Sequence, residues 1–528
     1  MKKIVSKGII VFVAVLMLTV GLSYKGVMEA DAYSFTGQDV NTTTDIMYNG
    51  VDTGVDYTYV HLGSGGSAGW GANRKINIVE ANLAANNAIG FETINNGPYL
   101  NSSAPLTQVV AGYDEDGKEI LAAVNGDWMT WANSLGASVS TNYRVSFSSL
   151  ITDGEILCSQ MTSAEQNADF YTFGVTTDRE VVMGKPTITT TVKNVSTGSS
   201  FSATGINRAP VNNTIVVFNN RLSTSNFANK DSYEIAIQAS STRFPVEGSI
   251  TGTVVGIYPS GTSSRASMDD NTIIITARGN KVSTLSGRFS VGNTVSISTS
   301  IYDSMGNNTK WDKCEEAIGG QCLVMKNGSI NNTLSGSSTG QYPTNILGYK
   351  SDGTIMMTMV TSDTNGNYVG LNFRTQIANF CSAVGYNTCL LLDGGGSTTM
   401  VTLEDGQYIE RACYSDGSIR STWNSCAIVY DVGNSTLPSS IKGTAFDAEY
   451  YYYHNKDLQS AKGKDPEALL KHFIEFGIKE GRQASNLFSI DEYINFNGDL
   501  KAAFGFDSNA SDETKHSKRL DAMNHFAS

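Results

Sequence analysis

Short apolar runs that alternate with polar residues, or close on turn residues, fill most of this chain. GVDYTYVHL (54–62) and KINIVEANL (75–83) alternate in the manner of half-buried strands, and Ile120 to Val124 is a continuous apolar run of buried-strand length. The Gly- and Ser-rich stretch between the first two, 63–72, reads as a lid or linker; no Lys-Ser or Lys-Thr follows it, as a phosphate loop would require. SLITDGEIL and FGVTTDREVVMG predict hairpins turning at Asp153-Gly154 and Asp178-Arg179. Between Phe201 and Ser300, runs such as TIVVFNN, YEIAIQ, TGTVVGIY and NTIIITARG predict a β-rich insertion without a titratable cluster. Its one notable polar pair is Asn207-Arg208, read as a surface pair that can face an anion.

The pattern changes after Ala317. ILGYKSDGTIMMTMV predicts a hairpin at Asp352-Gly353, and Phe373, Ile377, Phe380, Cys381 and Val384 then recur at helical spacing until Gly385 stops the helix. Thr388 to Leu392 follows as a buried strand that runs into Asp393-Gly394-Gly395-Gly396-Ser397-Thr398, and Asn424 to Tyr430 is a last strand. Beyond Phe446 the chain repeats itself. FDAEYYYYHNKDLQSAKG and FSIDEYINFNGDLKAAFG align with Phe446 on Phe488, Tyr451 on Tyr493 and Leu458 on Leu500, which predicts a repeated helical unit that binds wall material or a protein, or only stabilises the chain.

These patterns divide the chain into a leader (1–32), the first part of a core (33–197), the insertion (198–310), the second part of the core (311–437) and a helical repeat module (443–528). The expected fold class is α+β: a mixed-sheet, layered α/β core with a β-rich insertion and a small C-terminal helical repeat domain. Lys2, Lys3 and Lys7, the apolar run from Gly8 to Leu22 and Ala30-Asp31-Ala32 predict a cleaved secretion signal and a mature chain from about Tyr33. An uncleaved anchor is the rival reading, but the run falls short of the ~20 residues of a span. The expected location is extracellular, secreted or surface-associated, with no membrane contact after cleavage.

Composition agrees with export, since charged residues are only 16% of the 528 and glycines number 52. The net charge of −13 argues against nucleic acid or an anionic membrane as partner. Among the seven cysteines, Cys314/Cys322, Cys381/Cys389 and Cys413/Cys426 are candidate bridges, with Cys158 left over.

Four of the five histidines sit beyond Phe446, which leaves a Ser-His-Asp or His-rich metal site in the core poorly supplied. No cofactor is expected, and the residues leave a metal ion open. Carboxylates on Gly-containing turns remain: Asp127, Asp393 and Asp416. They are the candidate catalytic residues, since glycoside-type hydrolysis needs carboxylates flanking an oxocarbenium-like transition state. Around them, Asn125, Gly126, Trp128, Gly394, Gly395, Gly396, Ser397, Thr398, Arg420 and Asn424 are candidate substrate-binding residues, with Trp128 offering a face for a sugar ring.

AAVNGDWMT, KCEEAIGGQCLV, LLLDGGGSTTMV and SDGSIRSTWNSCAIV stand in an order and spacing that resembles the phosphodiester glycosidase family, roughly from Gly54 to Val432. The resemblance implies hydrolysis of a sugar-1-phosphodiester at the anomeric carbon, and the expected substrate is such a linkage in a cell-wall or exopolysaccharide glycan. Asp393 would face the sugar, Asn125 and Asp127 would fix its hydroxyls, and Ser397, Thr398 and the loop amides would receive phosphate. Arg420 is the preferred cation. Where the family shows a His-Pro-Arg-Thr-like segment, this chain has Tyr342-Pro343-Thr344-Asn345. Arg374, Arg420 or Lys350 would then substitute, or the substrate is not the same phosphodiester, or the chain is a weakly active or inactive surface glycan-binding protein of the same fold.

Overall fold

The structure is a computed structural model that describes residues 33, 35, 38–48, 51–64, 71–113, 117–161, 170–331, 340–362, 369–372, 376–413, 419–431, 446–461, 466–485, 488–496, 498–506 and 509–527. The leader, Phe373, Arg374 and Asp416 lie outside the described residues. Among the described residues no helix is long and apolar enough to cross a membrane.

Strands dominate a strand-rich α+β fold. The largest sheet has twelve strands, and its main path runs Gln38–Tyr48, Val51–Leu62, Arg74–Ala81, Ile355–Ser362, Thr344–Tyr349, Thr388–Leu391, Cys314–Lys326, Phe170–Thr176 and Val181–Gly184. A second, five-stranded sheet runs Gln407–Ala412, Thr399–Glu404, Lys118–Asn125, Asn424–Asp431 and Ile89–Asn95. Both are antiparallel along these paths. The helix, strand and glycine loop around Asp393 look locally like part of a parallel α/β unit, but the strand Thr388–Leu391 pairs antiparallel on both sides. Pairing direction is set by distant partners, which local periodicity does not report.

One apolar cluster joins residues of both sheets, among them Val79, Met357, Leu390, Val124, Met400 and Ile428. On the other side of the small sheet, Leu106 and Val110 of the helix Leu106–Ala111 pack with Ile120, Val401 and Val429. Ile377, Phe380 and Cys381 of the helix Gln376–Ala383 pack with Ile346, Met356 and Leu391 of the large sheet. Gly385, at φ +84°, follows that helix, and the Tyr386 amide returns to Cys381 O at 3.0 Å.

The stretch read as an insertion forms an eight-stranded sheet, and its Ile235, Ile275 and Ile297 share a core with Val182 and Ala317 of the large sheet. It begins at Pro186, upstream of the boundary drawn at 198, because Pro186–Asn194 pairs along its whole length with Thr294–Asp303. Beyond Phe446, the helices Ala448–His454 and Lys456–Ala461 are followed, 42 residues on (490 − 448), by Ile490–Phe496 and Gly498–Phe504. Phe446, Tyr451, Phe488 and Ile494 share one core there.

All seven cysteines are free thiols, which overturns the expected bridges. Cys314 and Cys322 occupy one strand, about 25 Å apart at ~3.3 Å per residue, whereas a bridge needs Cα atoms within about 7 Å. Cys381 and Cys389 lie within hydrogen-bonding reach of each other, as thiols.

Candidate active site

The small sheet delivers Asn125 at the end of Lys118–Asn125, between the first residues of Thr399–Glu404 and Asn424–Asp431. The large sheet delivers Asp393 just beyond Thr388–Leu391. Asn125 ties the two together. Its Nδ2 donates to Asp393 O at 2.7 Å, while its Oδ1 accepts from Asn345 Nδ2 at 2.7 Å and from the Thr399 amide at 2.9 Å. Both ends of the amide are therefore engaged within the protein, so Asn125 holds the loop rather than presenting itself to a sugar hydroxyl.

Gly126 continues the join. Its carbonyl accepts from the Asp393 amide at 2.8 Å and its amide donates to Asn424 O at 2.9 Å. A Cβ at this position would overlap Asn424 Oδ1 and Ile318 Cδ1, so only glycine allows so close an approach. Asn424 Oδ1 then accepts from the Asp127 amide at 2.7 Å, which makes Asn424 a positioning residue for the turn.

Asp127 is buried, with both carboxylate oxygens engaged. Oδ1 accepts from the Trp128 amide at 2.7 Å; Oδ2 accepts from the Ser148 amide at 2.8 Å and from the Ser146 hydroxyl. Burial pushes its pKa up to about 6 against the opposing pull of these hydrogen bonds and of Arg208. Asp393 keeps part of its surface open. Its pKa is also raised to about 6, by burial first and with a contribution from the charge of Asp127, while Ser397, Arg420 and the Gly394 amide oppose the rise. Two neighbouring carboxyl groups thus titrate close to neutrality and feel each other, a pattern common at catalytic sites.

The glycine loop folds tightly around Asp393. Gly395 takes a left-handed φ of +62° and its amide donates to Pro343 O at 2.9 Å. The Ser397 and Thr398 amides donate to Gly394 O and Gly395 O, both at 3.2 Å. The Gly394 amide serves the Asp393 carboxylate, as does the Ser397 hydroxyl. These four amides therefore all have acceptors within the protein. Thr398 Oγ1 is buried with no partner among the described residues. Asn345, of the Tyr342-Pro343-Thr344-Asn345 segment, holds Asn125 and accepts from the Leu392 amide at 3.0 Å. Thr344 is buried and bonded to Tyr342 O at 2.8 Å.

The cations are redistributed. Lys350 pairs with Glu80 and lies 5.7 Å from the Tyr33 ring, so it does not serve this site. Arg420 is exposed and its charge reaches Asp393. Arg208 is no surface residue: at 1% exposure it donates to Ser146 O and to Ser159 O, the latter at 3.2 Å, beneath Asp127. No local pattern separates such a buried Arg from an exposed one. Arg144 was not anticipated. Its guanidinium lies 4.3 Å from each of the Trp131 and Trp423 rings, and its charge also reaches Asp393. Trp128, adjoining Asp127, is partly exposed, and its ring N–H has no acceptor among the described residues. Two clefts of about 530 Å³, one beside Tyr57 and Arg411 and one beside Tyr113 and Gln108, include neither Asp127 nor Asp393 in their walls.

Residues 245–429 match the sequence profile of the phosphodiester glycosidases. Over that span the chain is similar to the phosphodiester glycosidase family. The phosphodiester glycosidase span contains Asp393, the glycine loop, Arg420 and Asn424; Asn125 and Asp127 lie upstream of it. None of the curated proteins matches the chain. A hypothetical protein from Synechocystis superposes with a TM-score of 0.54 at 15% identity, covering 71% of this chain and 62% of its own, and shares the fold. This chain thus spans less than two thirds of that protein. A Burkholderia pseudomallei protein whose name describes it as exported superposes at TM-score 0.48 and 13% identity, over 67% of this chain and 74% of its own. The catalytic domain of zebrafish N-acetylglucosamine-1-phosphodiester alpha-N-acetylglucosaminidase, auto-inhibited by its pro-peptide, aligns at TM-score 0.32 and 12% identity, over 76% and 86%.

Proposed function

We propose that the chain is an exported hydrolase that cleaves a sugar-1-phosphodiester between the anomeric carbon and its oxygen, in a cell-wall or exopolysaccharide glycan. The observation that carries this reading is the meeting of Asp127 and Asp393, each with a pKa near 6, on opposite sides of the Gly126 to Asp393 backbone bond. The match of residues 245–429 to the profile of a hydrolase family supports it at the level of reaction class.

In this reading Asp393 is the catalytic carboxylate, because it retains an open surface. Asp127, enclosed by Ser146, Ser148 and Trp128, is a positioning residue that acts through its charge on Asp393. Cleavage breaks the C1–O bond with its electron pair leaving on the phosphate oxygen. Water supplies the new C1–O bond and yields its proton to Asp393 or to solvent. A phosphate oxygen is a weak base and leaves with little protonation, so the main task is to stabilise the cationic C1, which a carboxylate performs. Asp416 stays a proposed third carboxylate, and the helices beyond Phe446 a proposed wall-binding module.

The test is release of sugar from a panel of sugar-1-phosphodiesters, with Asp393→Asn as control. Equal activity in the variant would remove Asp393 from its role. Glycan binding without turnover on any diester would favour the second reading, an inactive surface glycan-binding protein.

A further inference from the structure

The glycine loop directs its amides to protein acceptors, so an anionic substrate must be met by side chains. Arg144 and Ser146 are alternate residues of the strand Arg144–Ser146 and therefore share a face, roughly 7 Å apart. Ser146 bonds to Asp127, which places Arg144 one strand step from the catalytic centre. Arg144 is opposite Trp131 in the antiparallel pair, and the ring of Trp423, the residue before Asn424, lies equally near its guanidinium, at 4.3 Å. Trp423 is itself tied down where its carbonyl accepts from the Asn96 amide at 2.8 Å.

Two buried donors on these stacked groups, Arg144 Nε and Trp423 Nε1, have no acceptor among the described residues. Buried N–H groups left unpaired are destabilising, so a site that keeps two together is built for an acceptor that arrives from outside. The guanidinium donates in its own plane, the geometry that receives two oxygens of one oxyanion.

We propose that Arg144, held between Trp131 and Trp423, is the anchor for the oxyanion of the substrate, binding the two non-bridging oxygens of a phosphodiester. Trp131 and Trp423 are its positioning residues. This rests on the phosphodiester reading for the identity of the substrate, but not for the presence of the anion site. Arg420, exposed and near enough to influence Asp393 and Arg144, adds charge without a fixed geometry.

The experiment measures inorganic phosphate binding to the full chain by calorimetry, and phosphate inhibition together with KM for a sugar-1-phosphodiester. Arg144→Ala, Arg144→Lys and Trp131→Ala are compared with the wild type. The expected result is phosphate binding weakened about 10- to 100-fold in Arg144→Ala. Arg144→Lys keeps the charge but loses the fork and falls between the two; Trp131→Ala weakens binding less. KM for the diester rises in the same order, while a neutral aryl glycoside of the same sugar, if turned over, keeps its KM. Should Arg144→Ala fail to fold, Arg144→Lys carries the test. Absence of phosphate binding in the wild type, or unchanged phosphate affinity in a folded Arg144→Lys and Trp131→Ala, overturns the proposal. Phosphate binding that depends on Arg144, with no diester turned over, would retain the anion site and reject the hydrolase reading. Diester turnover with unchanged KM and phosphate inhibition in the variants would do the reverse.

Discussion

The side-chain amide of Asn125 donates to the carbonyl oxygen of Asp393 at 2.7 Å, across 268 residues of chain. Through that bond the small sheet holds the glycine loop that projects from the large one. The same amide accepts from the Asn345 side chain and the Thr399 amide, so one buried side chain joins three distant segments of the chain.

Replacing Asn125 by Ala leaves a carbonyl and two donors unpaired in a buried site. The expected loss is about 2–4 kcal/mol, read as a lower denaturant midpoint with an unchanged m-value. Turnover falls with it, since the loop that carries Asp393 is released.

Gly126→Ala tests the close approach in another way. Its Cβ would displace Asn424 and Ile318, at an expected cost of about 1–3 kcal/mol. A disproportionate drop in kcat, with KM nearly constant, is expected because Asn424 also holds the Asp127 amide.

In the proposed hydrolase Asp393 works ionised, so kcat/KM should rise with pH through about 6. Asp393→Asn lowers turnover by about 10²–10⁴-fold. In Asp127→Asn the neighbouring negative charge that raises the Asp393 pKa is gone, and the inflection moves to lower pH. An inflection that stays in place in a pH–rate profile of Asp127→Asn would show that the two carboxyls are not coupled.

The same shift fixes a sign for stability. The Asp393 pKa is raised in the folded state from 3.8 to about 6, so the protonated carboxyl is favoured by folding. Its contribution is fully present below pH 3.8 and is lost as pH rises through about 6. Asp393→Asn should therefore stabilise the protein by about 1–2 kcal/mol at pH 7 to 8, with little gain near pH 4, as thermal unfolding at both pH values would record.

Non-reducing peptide mapping should recover Cys314 and Cys322 unlinked, since one strand holds them far apart. The buried Cys389 thiol, raised well above the ordinary thiol range by burial first, should resist alkylation until the chain unfolds.

By itself the sequence determined what is local. Short apolar runs marked strands of the insertion, as YEIAIQ did for Tyr233–Ala239 and NTIIITARG for Thr272–Ala277. Turn residues marked the hairpins, where Asp153, Gly154 and Arg179 adopt positive φ. Helical spacing with a terminal glycine marked the helix ahead of Asp393, and Asp127 and Asp393 were legible as carboxylates on glycine turns. Only the tertiary structure decided what those elements meet. Antiparallel pairing on both sides of Thr388–Leu391, the bond from Asn125 to Asp393, the enclosure of Asp127 by Ser146 and Ser148, and Arg144 between two indoles all depend on contacts between distant segments. The physical reason is that a periodic pattern records which face a residue turns inward, whereas hydrogen-bond partners, desolvation and the field of a neighbouring charge arise only once separate strands are brought side by side.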